Sequence, residues 1–413
     1  MVRAVCGVRE YPRITDMLAG FTYRLVSETS PRILGRFVWN FGVKGALAFA
    51  RFKGRLRKGR FFPAFLFISP TNRCNLSCQG CWVEQSDPAV DMDPAVLRRL
   101  IDAGRSQGSY FFGMLGGEPL LYPDLFKVLA AYPDCYFQLF TNGTLLTAEV
   151  ARELRRLGNV TPLISVEGLE QVSDERRGAA DVYPRAMAGI ENCRRNRLIT
   201  GVASSVCRSN MGEVATEAFL RDMIRRGVHY VWYYVYRPAG RNPTPGLALS
   251  ADEIVALRRF MVGQRPRVPL LIVDAYWDHD GRALCPAAAG ISHHIGPRGD
   301  AEVCPPIQYA VETVAGGADP VELYQRSDFL ARFRRMASEA TPGCMLLEQP
   351  AELAAFMARE GARSTSGRQG DLAALSAMPP CASHHLPGRE IPESTWFYRL
   401  AKKHWFFGFG AYG

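Results

Sequence analysis

The chain has 413 residues, 47% of them hydrophobic and 22% charged, a composition that excludes a disordered or low-complexity polymer and allows two or three cored domains. Eleven cysteines, an odd number in so long a chain, speak against a disulfide framework and for a reducing cytoplasm. The net charge is +10, and no run of about 18 apolar residues offers a membrane-spanning helix.

Residues 1–62 carry thirteen Arg/Lys against three acids, so the rest of the chain is neutral overall. Met1 to Arg13 show no apolar run of signal-peptide type. Over 31–60, Ile33, Leu34, Phe37, Val38, Phe41, Phe49, Phe52 and Leu56 recur at helical spacing, while Gly35, Gly42, Gly45 and Gly54 weaken the helix. The reading is a basic amphipathic extension seeking an acidic surface: an anionic membrane at the inner face, or the extension's own domain.

From residue 64, short apolar runs alternate with helical segments. Strands are expected at 64–68, 109–115, 135–140, 160–166, 199–206 and 229–236, with helices near 94–106, 122–131, 147–157, 184–196 and 213–226. Six strands alternating with helices predict an α/β fold with a parallel sheet, open or curled into a partial barrel, whose ligands lie at the carboxyl ends of the strands. A Pro- and Gly-rich linker covers 237–246, a helix 250–262 and a strand 268–274. The chain thus divides into an extension (1–62), a core (63–246), a connecting helix and strand (247–284), a cysteine- and histidine-bearing region (285–385) and an aromatic, basic tail (386–413).

The chemistry concentrates in Cys74-Asn-Leu-Ser-Cys78-Gln-Gly-Cys81, directly after the first strand. Three thiolates on one loop suit three corners of an iron–sulfur cubane, leaving one iron open. A structural zinc site, which wants four closed ligands, and inert thiols are the alternatives. The CxxxCxxC loop resembles the hallmark of the radical S-adenosylmethionine superfamily, and the resemblance spans about residues 64–240. It departs in one place: Gly80 stands before the third cysteine, where the family usually has an aromatic residue, and Trp82 follows.

The resemblance implies a partial (βα)6 barrel, a [4Fe–4S] cluster on Cys74, Cys78 and Cys81, and S-adenosylmethionine bound at the open iron. It carries the methionyl amino group to Gly116, Gly117, Glu118 and Pro119, with Glu118 as ammonium acceptor. Ser165 and Glu167 match a Ser-x-Asp-Gly segment with Glu for Asp. Arg177 is a candidate partner for the cofactor carboxylate, or a solvated arginine, and Asn210 a weaker candidate. Thr141-Asn142-Gly143 reads as a turn.

Downstream, Cys285, thirteen residues, Gly299, four residues and Cys304 resemble the opening of SPASM and twitch domains, which carry auxiliary clusters. One auxiliary iron–sulfur cluster is expected, with Cys285, Cys304, Cys344 and Cys381 as ligands. Zinc with His293, His294, His384 or His385, or plain free cysteines, stay open.

By the same resemblance, the enzyme cleaves S-adenosylmethionine and abstracts hydrogen from an unactivated C–H bond. It takes electrons from a low-potential donor such as a flavodoxin or ferredoxin. The basic extension and aromatic tail favour a lipid or polyprenoid substrate at a membrane surface. A peptide or a small biosynthetic molecule are the alternatives. A zinc-bound nucleic-acid protein with a basic arm is the remote one, since no base-reading motif is present.

Overall fold

A computed structural model describes residues 14–86, 88–240, 243–274 and 276–404. Seven parallel strands follow one another across the sheet: β1 (Phe65–Ile68), β2 (Phe111–Met114), β3 (Tyr136–Thr141), β4 (Val160–Ser165), β5 (Gly201–Val206), β6 (Tyr230–Val235) and β7 (Leu271–Asp274). Almost every residue of these strands is buried, because helices cover one face and the inner core the other, so they read as continuous apolar runs. Local chemistry sets the helix starts. Asp93 accepts from the Ala95 amide ahead of Pro94, and Ser250 forms a reciprocal capping box with Glu253.

The partial barrel is larger than the six expected strands. The strand expected at 268–274 is β7, parallel to β6, and β8 (Ser292–Ile295) lies parallel to β1 on the other side. β9 (Ala301–Glu302) returns antiparallel to β8 through a turn in which Gly299 is left-handed, φ 83°. The cysteine- and histidine-bearing region is therefore stitched into the barrel sheet by its own hairpin. Its paired histidines do structural work. His294 bonds Ser69 at 2.7 Å and Glu302 at 2.6 Å, and His293 bonds the Val303 carbonyl and stacks on Tyr324. His384 bonds the Leu284 carbonyl.

The extension closes the floor of the barrel. After helix Ile14–Glu28, residues 31–57 form one helical run with a π-helical stretch at Phe37–Val43. Ile33, Phe41, Phe49 and Phe52 are buried in the common core. The polar side chains meet carbonyls in the loops entering the strands. Arg24 reaches Val228 and Pro269 at 2.9 Å each, Arg36 reaches Leu157, Asn40 reaches Pro133 at 3.0 Å, Lys44 reaches Asp134 at 2.8 Å, and Arg55 reaches Gln107. Helix C-termini gather at this end of a βα fold, and their unpaired carbonyls carry partial negative charge that cations satisfy. For these residues, the acidic surface expected from the sequence is the molecule's own floor.

The tail is anchored in the same inward manner. Helix Trp396–His404 buries Lys402 against Asp274 at 2.9 Å and Glu393 at 3.1 Å, and Arg258 and Arg265 complete the buried cluster. Arg3, Arg9 and Arg13 of the basic extension, and Trp405, Phe406, Phe407 and Phe409 of the tail, lie outside the described residues. No described helix is long and apolar enough to cross a membrane.

Candidate active site

The loops after β1 to β6 meet at the carboxyl edge of the sheet, opposite the extension. Cys74, Cys78 and Cys81 are half-buried there. Cys74 borders a cavity of about 300 Å³, and Cys78 and Cys81 lie on the wall it shares with a second cavity of about 230 Å³. Burial pushes the Cys74 thiol up to about 11 and the Cys81 thiol up to about 12. The three sulfurs do not all lie within 4.8 Å of one another; among the described residues only Asp278, His279 and Asp280 form so tight a group. Donors around one zinc ion at about 2.3 Å would have to be that close. A cubane, which carries each thiolate on a separate iron, takes the wider spread, so the residues present fit a cluster better than a single ion.

Every neighbouring loop holds the cysteine loop in place. Gly117 donates its amide to the Thr71 carbonyl at 3.0 Å and Glu118 donates to the Arg73 carbonyl at 2.7 Å. A Cβ at Gly116 or Gly117 would run into those same backbone carbonyls. The two glycines thus permit close approach to the chain's own cysteine loop, while both also border the 300 Å³ cavity.

The Glu118 side chain is turned inward. Its carboxylate is fully buried, accepting from Thr141 Oγ1 and the Asn142 amide at 2.8 Å each and from the Leu120 amide at 3.2 Å. Turned into the end of β3, it orients that loop. Burial pushes it up to about 7. Pro119 opens a buried single turn, Pro119–Leu121, beside it. The turn at 141–143 has a structural part that the sequence reading missed: Asn142 donates to Asn75 Oδ1 at 2.8 Å, and Asn75 donates to Thr144 Oγ1 at 2.9 Å, inside the cysteine loop. The signal available was an amide side chain within the motif itself.

Ser165 borders both cavities. Arg177 is not a solvated arginine. It pairs with Glu167 at 2.8 Å and points Nη1 at Cys78 Sγ, 3.6 Å away. Burial would lower its affinity for the proton, but Glu167 and Cys78 outweigh that and keep it charged. Asn210 sits behind, donating to the Ser205 carbonyl at 3.0 Å and facing Glu167 at 3.4 Å, so it positions Glu167 from outside the cavity.

Gly80 has a specific reason to be glycine. Its φ is 66°, and a Cβ would strike the ring and hydroxyl of Tyr236. The aromatic surface that the loop lacks at position 80 is supplied by the end of β6, where Tyr236 lines the 230 Å³ cavity and Arg176 stacks on it at 4.9 Å.

The second cysteine set is brought together in part. Burial, and then the neighbouring Cys344, push the Cys285 thiol up to about 11, and burial with Cys285 and Cys344 alongside raises Cys304. Arg237 stands among them, its Nε donating to Cys344 Sγ at 3.3 Å. The Cys381 thiol turns to the Pro379 carbonyl, its amide donates to the Leu347 carbonyl at 2.7 Å, and its charged neighbour is Arg208. Arg237 was missed because, in sequence, it looked like the first residue of a linker.

Residues 68–211 match the sequence profile of the Radical SAM superfamily. The chain is 31% identical over 195 residues to the AdoMet-dependent heme synthase of Methanosarcina barkeri (strain Fusaro / DSM 804), covering 46% of this chain and 55% of that protein. It is 30% identical over 149 residues to the Fe-coproporphyrin III synthase of the same organism, covering 35% and 37%. The chain thus spans about half, or less, of the length of these relatives. Its fold is similar to that of Streptococcus suis SuiB, with a TM-score of 0.58 at 15% identity over 69% of this chain and 71% of that one.

Proposed function

We propose that the chain, which matches the Radical SAM superfamily profile over residues 68–211, is a radical S-adenosylmethionine enzyme that binds a [4Fe–4S] cluster through Cys74, Cys78 and Cys81 and modifies a small molecule at an unactivated C–H bond. The observation that carries this reading is the half-buried thiol trio on the wall between two cavities, with its donors spread wider than one ion requires.

When bound, the cluster supplies the electron that cleaves S-adenosylmethionine to methionine and a 5′-deoxyadenosyl radical. The chain supplies orientation and exclusion of water. Gly116 and Gly117 border the cavity for the methionyl end, and Ser165 and the Arg177–Glu167 pair its polar wall. Arg177 also places a permanent positive charge beside thiolates that must lose their protons to ligate iron. The 230 Å³ cavity, between this trio and the second cysteine set, is the substrate chamber. Cys285, Cys304 and Cys344 are the ligands of one auxiliary cluster. A low-potential flavodoxin or ferredoxin is the electron donor.

The small-molecule reading is preferred to a membrane lipid. The lipid reading leaned on the extension as a membrane-facing arm. Arg24, Arg36, Lys44 and Arg55 of the extension bond the barrel floor, and the chamber is lined by residues at the carboxyl edge of the sheet. The heme and coproporphyrin names of the relatives above favour a small conjugated substrate.

The test is anaerobic reconstitution with iron and sulfide, then dithionite and S-adenosylmethionine, with 5′-deoxyadenosine measured by chromatography. Release by the wild-type chain, and its loss when the trio is replaced by alanine, is the expected result. Stoichiometric zinc in anaerobically purified protein, or nucleoside release that survives the replacement, would overturn the reading.

A further inference from the structure

Three arginines border the 230 Å³ cavity. Of the three arginines on its wall, Arg177 is neutralised by Glu167 at 2.8 Å. Arg176 lies flat on the Tyr236 ring, with Nη1 3.5 Å from the Gln79 carbonyl. Arg237, just beyond β6, differs from both. Among the described residues no carboxylate pairs with it. Its contacts are the Cys344 sulfur on the Nε edge and the face of the Tyr276 ring at 5.2 Å. Nε is its hydrogen-bonding nitrogen among the described residues, and the residue borders the cavity. A guanidinium carries five N–H donors in a planar fork, and with Nε turned to Cys344 the edge formed by its two terminal nitrogens faces the chamber side.

The rest of the chamber says what kind of anion fits. Phe67, Trp82, Phe140, Tyr234 and Tyr236 supply apolar and aromatic walls. Pro305 and Pro306 stand on the Arg237 side and have no amide hydrogen to offer. A phosphate paired with one arginine would still have oxygens to satisfy, and Pro305 and Pro306 beside Arg237 offer no amide to them. A carboxylate asks for two parallel donors, which the open edge of one arginine provides.

We propose that Arg237 is the anchor for a substrate carboxylate, and that the substrate is an acid built on a flat, apolar skeleton held between the two cysteine sets. This rests on the chamber assignment made above. With the carboxylate on Arg237, the skeleton extends toward Cys78 and Cys81, the end where hydrogen is abstracted. Arg237 is then a positioning residue: it fixes which carbon faces the radical.

The test is equilibrium binding to the reconstituted full-length protein under anaerobic conditions. The probes are coproporphyrin III, 2-naphthoate and the methyl ester of each, followed by absorbance shift for the porphyrins and by saturation-transfer NMR for the naphthoates. The expected result is that at least one acid binds and its ester binds tenfold or more weaker. Arg237→Gln, compared at equal iron content, should weaken the acid 10- to 100-fold and leave the ester unchanged, and Arg237→Lys should fall between. Equal binding of acid and ester, undiminished acid binding by Arg237→Gln, or no binding of either acid to wild type would each overturn the proposal. Nucleoside release by the wild-type protein is measured in parallel, so a failed anchor is told apart from a failed radical assignment.

Discussion

At position 80 the backbone needs a left-handed φ, and the space beside it belongs to Tyr236. Gly80→Ala should therefore cost about 1–3 kcal/mol of stability, from strain and overpacking together. Thermal unfolding of the metal-free protein reads that cost directly. Tyr236→Leu in the same chain should return only part of it, because the backbone strain stays. Glu118 makes a prediction of opposite character. Its folded-state proton affinity is raised to about 7 from an ordinary value near 4.5, so the folded chain holds the proton more tightly than the unfolded one. That contribution is full below about pH 4.5 and is lost as pH rises through about 7. Glu118→Gln should flatten the pH dependence of unfolding across that window, and an unchanged slope would place the titration elsewhere. Among the later cysteines, serine at 285, 304 or 344 should lower iron and sulfide content, whereas Cys381→Ser should leave both at the wild-type level.

Two elements at the ends of the chain are held by charge, in different ways. Helix Ile14–Glu28 is tied down by Arg24, which gives two buried bonds to strand-entry carbonyls. Arg24→Ala leaves those carbonyls unmet and should cost about 2–3 kcal/mol in denaturant unfolding, at the upper end for hydrogen bonds from a charged donor. The terminal helix Trp396–His404 depends on the buried cluster of Asp274, Glu393, Arg258, Arg265 and Lys402. Burial alone would raise the Glu393 carboxyl, but Arg265, Lys402 and Arg258 outweigh it and hold it at about 2. Its folded value is thus depressed, so its contribution is present above about pH 4.5 and disappears as pH falls toward 2. Hydrogen exchange over 396–404 should quicken on acidification in the wild type. In Glu393→Gln the exchange should already be fast at pH 7.

On the scale of the molecule, the extension and the reactive cysteines occupy opposite ends of one sheet. Burying Ile33, Phe41, Phe49 and Phe52 at roughly 1.5–3 kcal/mol each contributes about 6–12 kcal/mol, comparable to the 5–15 kcal/mol that holds a typical domain together. Deleting residues 1–60 should therefore give an unfolded or dye-binding barrel. A folded, active remnant that has merely lost affinity for anionic vesicles would return the extension to the membrane role.

The sequence by itself determined what short-range chemistry controls. Continuous apolar runs dictated buried parallel strands, Asp93–Pro94 dictated a helix start, and three thiols within eight residues marked the cysteine loop, because spacing along the chain limits where their sulfurs can lie. What depended on long-range packing was decided only in three dimensions. Tyr236 meets Gly80 across more than 150 residues, and Arg237 meets Cys344 across 107. The direction of the Glu118 side chain, the partners of the Cys381 thiol, and the inward turn of Arg24, Arg36, Lys44 and Arg55 follow the same logic. Each is set by which partner the fold brings near, and a charge or a thiol in sequence carries no record of that partner.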